Sequence, residues 1–143
     1  MNTIVLLSCT SKKNNICCKA KDMYMPSVRF RLSYNYAKKV VKADKIFILS
    51  AKYGLLEENE LISPYNKTLK NMKKDECMLW ADNVYNRLKN LSDVNDDNFV
   101  ILAGKPYYKY ILPKIKNYDL PLKNMPIGKG NSFLKQEITN NEN

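Results

Sequence analysis

Short apolar runs alternating with amphipathic stretches predict a single three-layer α/β domain, with a short, mostly parallel sheet of about four strands flanked by helices. Three observations carry this expectation. Thr3–Ser8 (TIVLLS), Lys45–Ser50 (KIFILS) and Phe99–Ala103 (FVILA) are nearly continuous apolar runs, as expected of strands buried on both faces. Between the last two, Cys77, Ala81, Val84, Leu88 and Leu91 recur at spacings of four, three, four and three, the period of one helix face. Each run is followed by a connection that is long or turned by glycine. Such connections gather at the C-terminal ends of the strands, the usual ligand edge of a parallel sheet.

The elements follow in order. Thr3–Ser8 is the first strand, and Cys9–Met25 a polar, basic loop. Pro26-Ser27 starts a helix that runs to about Ala43, with Phe30, Ala37, Val40 and Val41 on its apolar face. Lys45–Ser50 is the second strand. A connection of more than 20 residues separates it from a helix over Lys73–Leu91, whose first turn holds Asp75 and Glu76, where the dipole favours acids. Ser92–Asn98 is a polar turn and Phe99–Ala103 the third strand. Gly104 turns into a short helix over about Pro106–Ile115. Tyr118–Leu122 is a short fourth strand, placed at an edge by Pro121. Ile127–Ile138 holds another short helix. Residues 1–138 thus form one domain, and 139–143 (TNNEN) a frayed tail.

Composition narrows the function. A chain of 143 residues with 45% hydrophobic content buries a real core. No run approaches the roughly 20 apolar residues of a membrane span. The start, MNTIVLLSC, lacks the basic opening of a signal peptide and reads as a strand, so the expected location is the cytoplasm. There Cys9, Cys17, Cys18 and Cys77 stay reduced. Adjacent cysteines rarely point at one ion, so neither a metal nor another cofactor is expected. There is no histidine, hence proton transfer falls to Asp, Glu, Lys, Tyr or Cys. Lys and Arg number 24 against 14 acids, a net charge of +10. That balance favours a polyanionic partner, nucleic acid first, although abundant Asn also fits a chain that simply uses Lys and Asn freely. The oligomeric state stays open.

Chemistry concentrates in three loops. The first reads SCTSKK: Cys9, Thr10 and Ser11 offer small polar groups and amides for an anion, and Lys12 and Lys13 add charge. Cys9 is either a nucleophile whose pKa a lysine lowers or a small residue of the core. Asp22, the only carboxylate in the first 43 residues, precedes Tyr24; it is either a base or one side of a surface ion pair. The second loop, SAKYGLLEENELISPY, places Lys52 and Tyr53 directly after a strand. Gly54 suits a turn only glycine adopts freely, Leu55 and Leu56 anchor the loop, and Tyr65 follows a rigid Pro64. Tyr65 either stacks on a base or is buried with its hydroxyl satisfied. The third loop, GKPYYKY, interleaves Lys105 and aromatic residues in a pattern suited to single strands or a flipped base. Helix packing explains Tyr107 and Ile111 equally well.

The order of SCTSKK, DMY, ILSAKYGLL, ISPYNKTLKNM and a LAG strand end resembles an uncharacterised bacterial and phage family. That family has a CSKKK-type first loop and a KYGLL…PY second loop. A similar GLL…PY element marks the peroxide-stress-response family, whose members bind DNA. More loosely, the first loop is similar to that of the archaeosine synthase core. These resemblances imply a uracil-DNA-glycosylase-like α/β fold and a site that handles nucleobases. They mark Cys9, Thr10, Ser11, Lys12, Asp22, Tyr24, Lys52, Tyr53, Gly54, Pro64 and Tyr65. Three features depart from the pattern: Thr10 stands in place of Ser, Asn66 replaces the acid after Pro-Tyr, and the Cys17-Cys18 pair is not part of it.

The expected function is binding of a nucleic acid or nucleobase, with glycosylase-like action on a modified base. Lys12 and Lys52 would hold phosphate, Tyr24 and Tyr65 stack on the base, and a desolvated Asp22 position water or stabilise an oxocarbenium. The alternatives are a non-catalytic DNA-binding stress or phage-defence protein and a small nucleoside or nucleotide hydrolase.

Overall fold

In the computed structural model, which describes residues 1–142, the three apolar runs form the three innermost strands of one sheet. In chain order the elements are β1 (Thr3–Ser8), β2 (Cys18–Lys19), a one-turn helix α1 (Ala20–Met23) and α2 (Val28–Tyr36). Next come β3 (Lys45–Ser50), β4 (Gly54–Glu57), β5 (Leu61–Ile62) and α3 (Lys74–Leu91). The chain ends with β6 (Asn98–Leu102), α4 (Lys105–Tyr108), β7 (Asn117–Asp119) and α5 (Ile127–Asn140).

The five-stranded sheet has the order β4-β3-β1-β6-β7. β3, β1, β6 and β7 are parallel and β4 is antiparallel to β3, so the sheet is mostly parallel as expected. Leu7 pairs with Ile48 on one side and Leu102 on the other. Ile4 to Leu7 are fully buried, as are Ile48, Leu49 and Phe99. This double-sided burial is why the runs are apolar at every position rather than at alternate ones. α2 packs against β1 and α5, while α3 packs against β4 and α4. Cys77, Ala81, Val84 and Leu88 line the buried face of α3, with Trp80 beside them. Among the described residues no helix is long and apolar enough to cross a membrane.

The topology creates a crevice. From β1 the chain passes to β3 on one side, whereas β6 lies on the other side of β1. The connections after β1 and β6 therefore part, and the C-terminal ends of these two strands mark the switch point of the sheet.

Several elements differ from the sequence expectation. The long connection after β3 is not one loop. Gly54, with φ 75°, turns the chain back into β4, which adds a fifth strand to the sheet and buries Leu55 and Leu56 to 2% exposure. The connection after β1 is partly ordered too. β2 pairs with β5, and α1 buries Ala20, Met23 and Tyr24, apolar side chains hidden in a polar stretch. The helix after Ser27 becomes a π-helical turn at Ala37–Val41 and ends at Lys42 in a left-handed conformation. The helix expected over Pro106–Ile115 divides into α4 and a 3-10 turn at Leu112–Lys114. β7 is an edge strand that ends before Pro121, because proline cannot donate to a ladder. α5 continues to Asn140, two residues into the expected tail; Asn143 lies outside the described residues.

Candidate functional site

A cleft of about 1030 Å3 opens at the switch point. Its walls come from the ends of β1 and β6, the first turns of α2, the segment before α3, and the chain around α4 and beyond β7. Lys13 enters from the first loop, Arg29 from α2, and Lys67 and Lys70 from the segment before α3. Lys105 and Lys109 come from the α4 region and Lys123 from beyond β7. These seven cations face no carboxylate among the residues lining the cleft. Asn66, a neutral side chain, is part of the wall. By contrast, the concavity of about 490 Å3 at the other end of β3 is lined by Asp44, Glu57, Glu58 and Glu60. An anion therefore has one favourable address of the two.

A cluster of buried hydroxyls supports the cleft from below. Tyr65 Oη lies 2.7 Å from Tyr24 Oη and 2.7 Å from Ser50 Oγ. Ser50 is fully buried; its Oγ accepts the Tyr53 N–H at 3.0 Å, and its carbonyl accepts the Trp80 indole N–H at 2.9 Å. Tyr53 meets Tyr65 edge to face at 5.5 Å, and the Lys13 ammonium sits 4.5 Å from the Tyr65 ring centroid. That contact joins the first loop to the second. Cys9 is buried, its thiol donates to Tyr107 Oη at 3.4 Å, and Tyr107 packs edge to face on Trp80 at 5.8 Å. Burial lowers the pKa of Lys13 against an opposing effect of Cys9. Burial pushes the Tyr24 phenol up to about 12, and raises Tyr65 and Tyr107 as well.

These phenols make stability depend on alkaline pH. The folded state holds the Tyr24 proton more tightly than the unfolded chain, whose phenol keeps a pKa near 10.0. The stabilisation is therefore complete below pH 10.0 and disappears as pH rises through about 12. At about 1.4 kcal/mol per unit the loss from Tyr24 alone is roughly 2–3 kcal/mol. Urea unfolding followed from pH 8 to pH 11.5 should show a falling midpoint that tracks tyrosinate absorbance. A flat midpoint above pH 10 would refute the buried phenol cluster.

The residues singled out in the sequence divide into three groups. Cys9, Thr10, Ser11, Lys13 and Lys105 line the cleft. Tyr24, Tyr53 and Tyr65 belong to the tyrosine cluster and Gly54 turns β3 into β4; none of the four lines the cleft. Tyr24 does not stack on a ligand: it is fully buried, and its ring packs on Phe30 at 5.3 Å. Tyr65 likewise spends its ring on Lys13 and Tyr53 and its hydroxyl on Tyr24 and Ser50. Lys12, Asp22 and Lys52 stand outside the cleft lining and are exposed. The Lys52 ammonium lies 5.2 Å from the Tyr53 ring centroid, and the backbone carbonyl of Asp22 is held by the Asn14 amide at 2.7 Å. Asp22 thus lacks the burial its expected role required. A one-turn helix turns Met23 and Tyr24 inward, which leaves the adjacent carboxylate in solvent.

Sequence reasoning missed Ser50, Trp80, Arg29, Ser33, Lys67, Lys70 and Lys123. Ser50 had one signal, a polar residue ending an otherwise apolar strand. The lysines had none, since exposed lysines occur along the whole chain. All four cysteines are free thiols, and among the described residues no group of three or more His, Cys, Asp or Glu side chains is placed to hold a metal ion.

Residues 4–136 match the model of a family of unknown function (DUF6884), and the chain belongs to that family. No curated protein and no solved structure matches the chain.

Proposed function

We propose that this member of the family binds a nucleobase-containing ligand through its phosphates, and that the ligand is a single strand of nucleic acid in the cytoplasm. One observation carries the reading: seven cations and no carboxylate line an open cleft at the switch point of a mostly parallel sheet. Phosphates suit such a lining, because each contact releases condensed counterions. Half-buried Tyr108 and exposed Tyr118 add ring surface on the same walls for base stacking. The likeness of SCTSKK and KYGLL…PY to families that handle nucleobases supports the same ligand class.

The cleft supports binding better than N-glycosidic chemistry. That reaction needs a carboxylate or other base beside the sugar. The candidate for it, Asp22, is exposed and outside the cleft. We therefore favour the non-catalytic reading, a nucleic-acid-binding protein, over a glycosylase or a small-substrate hydrolase.

A salt titration with labelled single-stranded DNA, duplex DNA, RNA and a mononucleotide tests the proposal. Single-strand affinity should fall about tenfold or more between about 50 and 200 mM salt, given several phosphate contacts. Absence of binding to any polymer at low salt would overturn it, and release of free base from a modified strand would restore the enzymatic reading.

A further inference from the structure

The α2 wall of the cleft differs from the rest. Arg29 is anchored to a neighbouring helix, unlike the exposed cleft lysines Lys67, Lys70, Lys105, Lys109 and Lys123. Its Nε donates to Asn131 Oδ1 at 2.5 Å and its Nη2 to the Ile127 carbonyl at 2.8 Å, both on α5. Gly130 lets the guanidinium lie against that helix, since a Cβ there would stand 2.5 Å from Nη2. A guanidinium has five N–H donors, so three remain uncommitted. Among the described residues no carboxylate lies within ion-pairing distance of Arg29. Burial lowers its pKa. A preorganised, partly desolvated guanidinium without a counterion is an incomplete ion pair.

Ser33 is the second observation. It lies four residues after Arg29, on the same face of α2. It is 2% exposed and lines the cleft, yet its Oγ has no hydrogen-bond partner among the described residues. Buried hydroxyls are almost always paired, so an orphan one facing a cleft marks a place for a ligand atom. The third is the start of α2, which also borders the cleft. Ser27 caps it by accepting the Phe30 N–H, and the first-turn amides present the positive end of the helix dipole.

We propose that Arg29, Ser33 and the first turn of α2 form a seat for a phosphate monoester, the terminal phosphate of a strand or of a mononucleotide. The proposal rests on the cleft being a nucleic-acid site and names which part of the ligand goes where. Depth selects the terminal group. Ser33 Oγ is buried, whereas an internal phosphodiester carries a sugar on each side and cannot enter a recess. A monoester is also more highly charged than a diester and has three free oxygens for the guanidinium fork, the hydroxyl and the amides. Gly130 and Asn131 are positioning residues that hold Arg29 in place.

The test compares one labelled oligonucleotide with a 5′-phosphate, a 3′-phosphate or hydroxyls at both ends, and a nucleoside with its 5′-monophosphate as competitors. One terminal phosphate should tighten binding by about tenfold or more. Its position identifies the strand end, and competition by the monophosphate but not the nucleoside would assign the seat to mononucleotides as well. Arg29→Gln should abolish the preference, so that phosphorylated and hydroxyl-ended strands bind the variant alike, both weakened by the loss of one of the seven cleft cations. Gly130→Ala is the control for folding: it keeps the charge and suits a helix, but pushes the guanidinium off its perch, and it too should erase the preference. Ser33→Ala should reduce it by several-fold. If the unphosphorylated strand binds and phosphate at either end changes nothing, the seat is refuted and the cleft stands. If no strand binds but the monophosphate does, the nucleic-acid reading fails and the seat survives. If neither binds, both are overturned.

Discussion

Glutamate at Lys105, Lys109 and Lys123 together is expected to lower single-strand affinity by roughly 100-fold or more at about 50 mM salt, and to flatten the salt dependence. All three side chains are exposed and lie on walls of the cleft that carry no compensating acid. Loss of each phosphate contact removes about 0.7 from the slope of log affinity against log salt on a single strand, so three contacts should remove about 2. The reversed charges then repel the remaining phosphates. The fold should tolerate the change, since none of the three side chains forms a salt bridge among the described residues. The decisive comparison is a second triple with the same charge change away from the cleft, Lys74, Lys89 and Lys135 to Glu. If it weakens binding equally, net charge drives binding and the cleft has no special role. If only the first triple loses affinity, the cleft is the address.

Tyr65 should report on stability rather than on binding. Its hydroxyl bridges Tyr24 and Ser50, and its ring is occupied by Lys13 and Tyr53. Tyr65→Phe keeps the ring but takes from the buried Tyr24 hydroxyl its partner and from Ser50 Oγ one of two, at a cost of about 1–3 kcal/mol. Tyr65→Ala also opens a cavity beneath the cleft; for a half-buried ring about 2–4 kcal/mol is expected in total. Urea denaturation measures both. Strand affinity of Tyr65→Phe should stay within about threefold of wild type where the protein is folded, since the hydroxyl faces the protein. Normal stability with a large loss of affinity would mean that the ligand, not the protein, uses Tyr65.

Much of the fold was legible because its signals are local. Burial on both faces writes continuous apolar runs, so β1, β3 and β6 appeared within a residue of their observed bounds. α3 appeared because 3.6-residue periodicity repeats over five turns. β4 stayed hidden. Its GLLE holds only two apolar residues, and its strand conformation comes from pairing with β3, not from its own propensity. α1 was hidden for the same reason, one turn of helix held by burial of Ala20 and Met23.

The site divides along the same line. Composition and strand order alone determined that the protein is basic, that it is α/β, and that the loops after β1, β3 and β6 hold its polar residues. Motif spacing singled out Cys9, Lys13, Gly54 and Tyr65. Which residues meet was decided only by the tertiary structure. The Tyr24–Tyr65 bond spans 41 residues, Cys9–Tyr107 spans 98 and Arg29–Asn131 spans 102. Contacts so distant leave no periodic trace in a single chain, because they depend on how packed layers bring separate loops together. The same holds for burial: Asp22 and Tyr24 are two residues apart in one polar stretch, yet one is in solvent and the other fully enclosed. Only the turn of α1 against the sheet separates them, and with them a candidate base from a structural phenol.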